Sequence, residues 1–237
     1  MIKSKYQNKN QFDELGEDYF NIPGGHVYLY YARRKVELLS HLIDANFSVL
    51  DVGCGAGEHA KLLEKHCKAV SGVDASENMI KAANNNFING FAVKADSSHL
   101  PFKNSSFDMV FTSSLLHHVN DPLLVNKTIC EMARVSKKTV CILEFNSFNP
   151  FVKYLLFKLC PYDAGDERIP PKKEVVRSMV NNSLKITNVK HIFFMPMYMP
   201  KFLIPIFSRM EIFLEKIIPF LSIEILYISE HQEIVSK

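Results

Sequence analysis

The clearest pattern in the chain is a short apolar run that ends in alternating glycines. Residues 47–52 have the length and β-branched content of a buried strand, and Gly53, Gly55 and Gly57 follow at alternate positions. The next segment, 59–66, is amphipathic with helical spacing. Glycine is needed where a turn takes positive φ or a ligand lies against bare backbone, and a helix start has unpaired N–H groups. The pattern therefore predicts strand, tight turn and helix, with a polar ligand across the turn.

Strand-like and helix-like patterns alternate along the rest of the chain. Further strands are predicted at 69–74, 91–95, 106–112, 139–145, 185–195 and 223–231, and helices at 12–20, 26–45, 123–135 and 172–182. Such alternation indicates an α/β fold built on a mostly parallel sheet.

The segment 196–222, between the last two predicted strands, is rich in apolar residues and holds few charges. An apolar segment of this kind must bury one side on something. It could cap an apolar substrate, form a dimer or membrane-surface contact, or pack onto the core.

Composition indicates an ordinary globular chain of 237 residues, 47% of them hydrophobic, with a formal charge of +3. This excess is too small to indicate nucleic acid by itself. The five cysteines include no C-x-x-C pair, so neither a zinc site nor a disulfide framework is predicted and we expect a reducing, cytoplasmic setting. No apolar run reaches about 18 uncharged residues, so no membrane-spanning helix is expected.

The charge at the glycine turn bears on its ligand. A turn that binds a dinucleotide carries G-x-G-x-x-G, and Glu58 occupies the place of the last glycine here. A carboxylate would repel a diphosphate while still complementing the helix dipole. The turn therefore favours a ligand without a phosphate bridge. S-adenosylmethionine (SAM), which has a sulfonium and an amino group beside one carboxylate, is such a ligand.

An acidic residue ends the second predicted strand. Asp74 lies about 20 residues beyond the turn, the distance at which a strand–helix–strand unit brings a carboxylate beside a nucleoside. There it could accept hydrogen bonds from both ribose hydroxyls. An aspartate at a strand end could instead cap the next helix, but Ser76 is better placed for that.

These motifs resemble those of the class I SAM-dependent methyltransferases, in the subgroup of small-molecule and quinone methyltransferases. Residues 49–58 are similar to the first motif of the family, 74–79 to its D-x-S-x-x-M, and 100–112 to its L-P-F…S-F-D-x-V. The resemblance covers the chain to about Asn149. It implies a Rossmann-like, seven-stranded, mostly parallel sheet whose last strand is antiparallel.

The resemblance also implies the organisation of the chain. Residues 1–46 would form an N-terminal helical lid, in which Phe12, Asp13 and Tyr19 partly match the family pattern F-D-x-x-A-x-x-Y-D. Residues 47–237 would form the SAM-binding methyltransferase domain. That domain would carry a C-terminal helical insertion at about 196–222, before the last strand.

The same resemblance implies a cofactor site without metal, built at the ends of the strands. In it, Asp74 would hold the ribose, Ala75 and Met79 would flank the adenine, and Asp96 with Ser97 would hold the adenine amino group, unless these two only form a turn. Tyr19 would reach the methionine end of SAM, or its side chain would only pack against neighbouring residues. The implied cofactor-binding residues are Tyr19, Asp51, Gly53, Cys54, Gly55, Gly57, Asp74, Ala75, Met79, Asp96, Ser97 and Ser113.

Two adjacent histidines, His117 and His118, follow the fourth predicted strand on the ligand side. A neutral imidazole beside the transferred methyl could remove a proton from an acceptor hydroxyl or amine. His117 is therefore the candidate catalytic residue. The family carries L-H-H here even where no catalytic role is implied, so pinning the loop is the alternative role.

The sequence thus predicts methyl transfer from SAM to a small, hydrophobic acceptor such as a quinone, a lipid or a natural-product intermediate. The partner is expected to be this small molecule rather than nucleic acid, with peripheral membrane contact as a further option and the oligomeric state open. One alternative is tRNA modification, because wobble-uridine methyltransferases share these motifs. Another is a SAM-binding protein without transfer activity.

Overall fold

The computed structural model describes residues 25–152, 167–192 and 199–232, and these residues contain one seven-stranded sheet. Its strands are β1 (Ser48–Val52), β2 (Ala69–Asp74), β3 (Phe91–Lys94), β4 (Phe107–Ser113), β5 (Ser136–Phe145), β6 (Leu184–Ile192) and β7 (Glu224–His231). The helices are α1 (Gly25–Ser40), α2 (Glu58–Leu63), α3 (Glu77–Asn86), α4 (Pro122–Val135), α5 (Lys172–Asn181) and α6 (Ile204–Ile217). Short 3-10 turns lie at Leu116–His118, Lys201–Leu203 and Pro219–Leu221.

The strand order is β3-β2-β1-β4-β5-β7-β6. Strands β1 to β5 are parallel, whereas β7 runs antiparallel to both of its neighbours, β5 and β6. The predicted mostly parallel sheet with an antiparallel last strand is therefore confirmed. The carboxyl ends of β1 to β5 meet at one edge, called the carboxyl edge below, and the strand order reverses between β1 and β4, where ligands bind in such sheets.

Hydrophobic clusters cover both faces of the sheet. Neighbouring residues of β1 point to opposite sides, so that Val49 packs with Leu39 of α1 while Leu50 packs with Ile129 of α4. All four side chains are fully buried. Burial on both faces explains why the central strands are almost continuously apolar in the sequence.

Several predicted boundaries differ from the structure. The helix predicted at 26–45 ends at Ser40, because a turn follows in which the Asp44 carboxylate accepts the N–H of Asn46 at 2.9 Å. The helix predicted at 59–66 is the shorter α2, and β5 begins at Ser136 rather than at 139. The predicted helix at 12–20, with Tyr19, lies outside the described residues, as do 193–195 at the end of the sixth predicted strand.

The insertion before the last strand contains α6, with a 3-10 turn on each side. It begins and ends at the carboxyl edge, because Glu224 of β7 pairs both with Ile192 of β6 and with Phe145 of β5. The Asn146 side chain holds its end by donating to the carbonyls of Phe220 and Ser222, each at 3.0 Å. In the part of the chain that the structure describes, no helix is long and apolar enough to cross a bilayer.

Candidate functional site

The glycine turn after β1 adopts the backbone that its sequence predicts. Gly53, Gly55 and Gly57 have φ of 76°, 51° and 84°. A Cβ at Gly53 would lie 2.9 Å from Leu115 Cδ1, and a Cβ at Gly57 would lie 3.2 Å from Ala83 Cα. A Cβ at Gly55 would have no atom of the described part of the chain within 4 Å. The turn is therefore closely packed at its two ends and open at Gly55, where a ligand can approach the backbone.

Asp74, at the end of β2, is held against this turn. Its Oδ2 accepts the N–H of Gly55 at 2.9 Å, and its Oδ1 accepts the N–H of Ser76 at 2.9 Å. Ser76 in turn caps α3 by accepting the N–H of Met79 at 3.2 Å, as its position in the sequence predicts. The predicted ribose-binding carboxylate and the glycine turn are thus in direct contact.

Asp51 of β1 is buried beneath the same turn, with 1% of its surface exposed. Neither carboxylate oxygen has a hydrogen-bond partner among the described residues. Burial raises the pKa of Asp51 well above its ordinary value, and the charges of Asp74 and Glu58 raise it further. An unpartnered buried carboxyl group is costly, so this position suits a ligand that brings a donor or a positive charge.

Two further titratable groups at the turn have raised pKa values. Glu58 begins α2, and burial raises its pKa to about 8, although a hydrogen bond with Tyr28 of α1 acts in the opposite direction. Burial also raises the pKa of the Cys54 thiol well above its ordinary value, with Asp51 and Asp74 adding to the rise. Cys54 lies over Gly72 of β2, where an added Cβ would be 2.6 Å from its Sγ.

The residues implied for adenine binding lie beyond β2 and β3. Ala75 is exposed and Met79 is buried. Asp96 accepts the N–H of Ser98 at 2.7 Å, a bond that lowers its pKa, and the Ser97 hydroxyl lies 3.1 Å from that of Thr128. Asp96 and Ser97 therefore form the turn that the sequence allows, at the same edge as Asp74. Contact with adenine stays a prediction.

Ser113, one of the implied cofactor-binding residues, ends β4 beside a buried ion pair that the sequence analysis missed. The Lys35 ammonium of α1 donates to Glu224 Oε1 at 2.7 Å and to the Ser113 hydroxyl at 3.2 Å. Both members of the pair are buried. The signal for Lys35 was available in the sequence, because this charge lies on the apolar side of the predicted helix 26–45.

His117, the candidate base, lies in the 3-10 turn after β4 and is buried. Its Nδ1 is 2.8 Å from Glu144 Oε1, which also accepts the N–H of Phe145 at 2.8 Å, while Oε2 accepts the N–H of His117 at 3.2 Å. Because both carboxylate oxygens act as acceptors, the neutral imidazole donates from Nδ1 and has its lone pair on Nε2. Glu144 was missed, although an acid inside the apolar run 139–145 is the signal that could have found it.

His118 packs against His117, with the two ring centroids 4.0 Å apart. Burial lowers the pKa of His118 well below its ordinary value, and the neighbouring His117 lowers it further. His118 is therefore held in the neutral form at physiological pH.

The residues around the glycine turn fit SAM. The open backbone at Gly55 admits a ligand, Asp74 supplies carboxylate oxygens beside it, and Asp51 presents an unpartnered buried carboxyl group. A cationic ligand would complement this acidic cluster, whereas a diphosphate would be repelled by it.

Comparison with known proteins agrees with this fit. Residues 50–142 match the family model described as "Methyltransferase domain". The chain is 34% identical over 92 residues to the malonyl-(acyl-carrier protein) O-methyltransferase of Buchnera aphidicola, covering 39% of this chain and 36% of that protein. It is 29% identical over 161 residues to the ubiquinone biosynthesis O-methyltransferase of Coxiella burnetii, covering 63% of this chain and 64% of that protein.

The fold is shared with solved methyltransferase structures. A methyltransferase in complex with the Trm112 methyltransferase activator of Haloferax volcanii superposes with a TM-score of 0.69 at 18% identity, covering 94% of this chain and 98% of that one. The curated relatives are matched over less than two thirds of their own length. Residues 50–142 therefore resemble a methyltransferase domain, and the sheet order is the one implied by the resemblance to class I SAM-dependent methyltransferases.

Proposed function

We propose that this chain transfers the methyl group of SAM to a small, hydrophobic acceptor. One observation carries the proposal: the Asp51 carboxyl group is buried without a hydrogen-bond partner among the described residues, under a turn that these residues leave open at Gly55. A polar group in that state is stabilised when a ligand supplies a donor or a cation. The amino group and the sulfonium of SAM provide both kinds of interaction.

Each part of SAM has a candidate partner in the chain. Asp74 would bind the ribose hydroxyls, and Asp51 would face the cationic methionine part. Asp96 and Ser97 follow β3 at the same edge and would hold the adenine. In this arrangement, affinity for SAM comes chiefly from carboxylates at the ends of three adjacent strands, β1, β2 and β3.

When bound, SAM supplies a methyl group that its sulfonium already activates. Because this methyl group is already activated, the reaction needs no protein nucleophile. The chain only has to orient the acceptor and exclude water. His117 would accept the proton that the acceptor hydroxyl or amine loses. Glu144 supports that role by holding Nδ1, so that the basic lone pair is on Nε2.

The acceptor class is supported by the likeness to a ubiquinone biosynthesis O-methyltransferase. It is also supported by the apolar residues of the insertion, which begins and ends at the carboxyl edge of the sheet. A hydrophobic molecule with a reactive hydroxyl group fits both observations.

Radioactive methyl transfer tests the proposal directly. With methyl-labelled SAM, we expect transfer to a catechol that carries a long alkyl chain and much weaker transfer to unsubstituted catechol. His117→Gln should lower kcat by about 100-fold or more while leaving the affinity for SAM unchanged.

His118→Gln, which changes the adjacent ring, serves as the matched control and should have a smaller effect. Binding of SAM without transfer to either catechol would contradict the acceptor class. Failure to bind SAM in calorimetry would contradict the whole proposal.

A further inference from the structure

Helix α6 packs on the rest of the molecule through its acidic residues. Glu211 is the one buried residue of this helix. Its carboxylate accepts hydrogen bonds from Tyr30, at 3.1 Å, and from Tyr31 and Arg34, all on α1. Arg34 also binds Glu215 at 2.5 Å. The acids of α6 are thus turned inward, toward α1.

The opposite side of α6 and its flanking turns carries a row of exposed apolar side chains at intervals of three or four residues. These residues, called the apolar stripe, are 42% to 76% exposed: Phe202, Ile206, Met210, Phe213, Ile217 and Phe220. The interval is that of one helix face. A contiguous exposed stripe of this size in a folded domain marks an interaction surface.

Within segment 199–222, the exposed charges are all positive. Lys201, Arg209 and Lys216 are exposed, and the two acids of segment 199–222 are the ones paired with Arg34. The helical period places Arg209 and Lys216 along one flank of the stripe. This flank, with Lys201, is called the basic flank.

An apolar stripe with a basic flank complements an apolar surface that carries negative charge. The interface of an anionic bilayer has both properties, because acyl chains lie under acidic headgroups. Pairing of the stripe with a second copy of this chain would instead add like charges to one contact. The charges on α6 therefore favour a lipid surface over self-association.

We propose that the apolar stripe and the basic flank dock this chain on an anionic lipid bilayer, with α6 lying along the interface. The insertion that carries α6 begins and ends at the carboxyl edge, where the proposed cofactor site lies. Docking would bring a lipid-dissolved acceptor to that edge. The docking itself does not depend on methyl transfer and can be tested without it.

Co-sedimentation of the full chain with vesicles tests the proposal. The expected result is binding to vesicles of phosphatidylcholine mixed with phosphatidylglycerol, and much weaker binding to phosphatidylcholine alone. Raising the salt concentration should weaken the binding, since part of it is electrostatic. No binding to either vesicle would overturn the proposal.

Variants of α6 separate the two components of the surface. Replacing Ile206, Phe213 and Ile217 together by Gln should weaken partition into the anionic vesicles by about tenfold or more. Arg209→Gln and Lys216→Gln should each weaken it by about fivefold. The matched control, Ile88→Gln with Phe91→Gln, changes exposed apolar residues at the β3 edge of the sheet and should bind vesicles as the parent chain does.

Binding of S-adenosylhomocysteine (SAH) and thermal melting, measured on the same samples, show whether each variant is folded. If the triple variant binds SAH but still sediments with vesicles as strongly as the parent, the proposal is wrong. It is also wrong if the parent dimerises in sedimentation velocity and the triple variant does not, because a second copy would then cover the stripe. Loss of vesicle binding with SAH binding intact supports the docking whether or not the chain transfers methyl groups.

Discussion

The backbone N–H of Gly55 donates a 2.9 Å hydrogen bond to Asp74 Oδ2 and so joins the turn after β1 to the end of β2. This bond fixes the carboxylate beside the one glycine of the turn whose Cβ position is open. The geometry makes Asp74 both a support of the turn and a candidate ligand for the ribose.

Replacing Asp74 by Ala should therefore weaken SAH binding by about 2 kcal/mol, or about thirtyfold, because charge-assisted hydrogen bonds are lost. Isothermal titration calorimetry measures the change. Asp108→Ala is a suitable control: Asp108 accepts the N–H of Ser48 at 2.8 Å at the opposite end of the sheet. That variant should lose stability and keep its SAH affinity. Equal affinities for the parent and the Asp74 variant would rule out the ribose assignment.

The raised pKa of Glu58 makes SAM binding depend on pH. Burial raises the pKa of Glu58 to about 8, and a cationic ligand would favour the ionised form of this carboxyl group. Binding should therefore lower this pKa and release protons near pH 7.5. Affinity for SAM should rise as pH increases toward 8. Calorimetry in two buffers of different ionisation enthalpy measures the protons released.

Glu58→Gln removes one titrating group and should reduce the number of protons released when SAM binds. Asp51 would still contribute to that release. The same variant should be more stable than the parent above pH 8, because an acid with a raised folded-state pKa destabilises the fold once pH exceeds its unfolded-state pKa. Identical proton release in the parent and the variant would contradict this role of Glu58.

Gly55 and Gly57 of the turn should respond differently to replacement by alanine. Both have positive φ, so each substitution should cost about 1 to 2 kcal/mol of unfolding free energy. Gly57→Ala should cost more than Gly55→Ala, because its Cβ would lie 3.2 Å from the backbone of Ala83. Urea denaturation measures both. Relative to its loss of stability, Gly55→Ala should lose more SAH affinity than Gly57→Ala does. A larger relative loss of affinity for Gly57→Ala would contradict the open face at Gly55.

The buried pair of Lys35 and Glu224 should be sensitive to the loss of one partner. Lys35→Met leaves Glu224 buried without its cation, and about 3 to 5 kcal/mol of stability should be lost. Adding Glu224→Leu to that variant should restore much of the loss. A double-mutant cycle of urea midpoints tests this coupling, and additive effects would show that the two charges do not interact.

The sequence predicts the strands well because β2, β3 and β4 are apolar runs bounded by turn residues. It predicts the end of α1 poorly because Leu42 and Ile43 continue the helical spacing, while the turn around Asp44 depends on a local side-chain bond. Boundaries set by such single contacts are not visible in periodicity.

The site residues also divide into those that sequence spacing predicts and those that depend on single contacts. Gly53, Gly55 and Asp74 are recognisable because spacing along one strand–helix–strand unit brings them together. Glu144 and Lys35 stand out as charges within apolar patterns, but their partners cannot be read from the sequence, because these lie 27 and 189 residues away. Such pairs become visible only when the strands are placed side by side.

The contact between Cys54 and Gly72 restricts how this region can change. A Cβ at position 72 would also lie 3.1 Å from the ring of Phe87, so the space there is closed on two sides. A relative with alanine at 72 would therefore need a smaller residue at 54 and a shifted ring at 87. The first turn and the second strand must accordingly evolve as one unit, and a substitution tolerated in one background would be rejected in another.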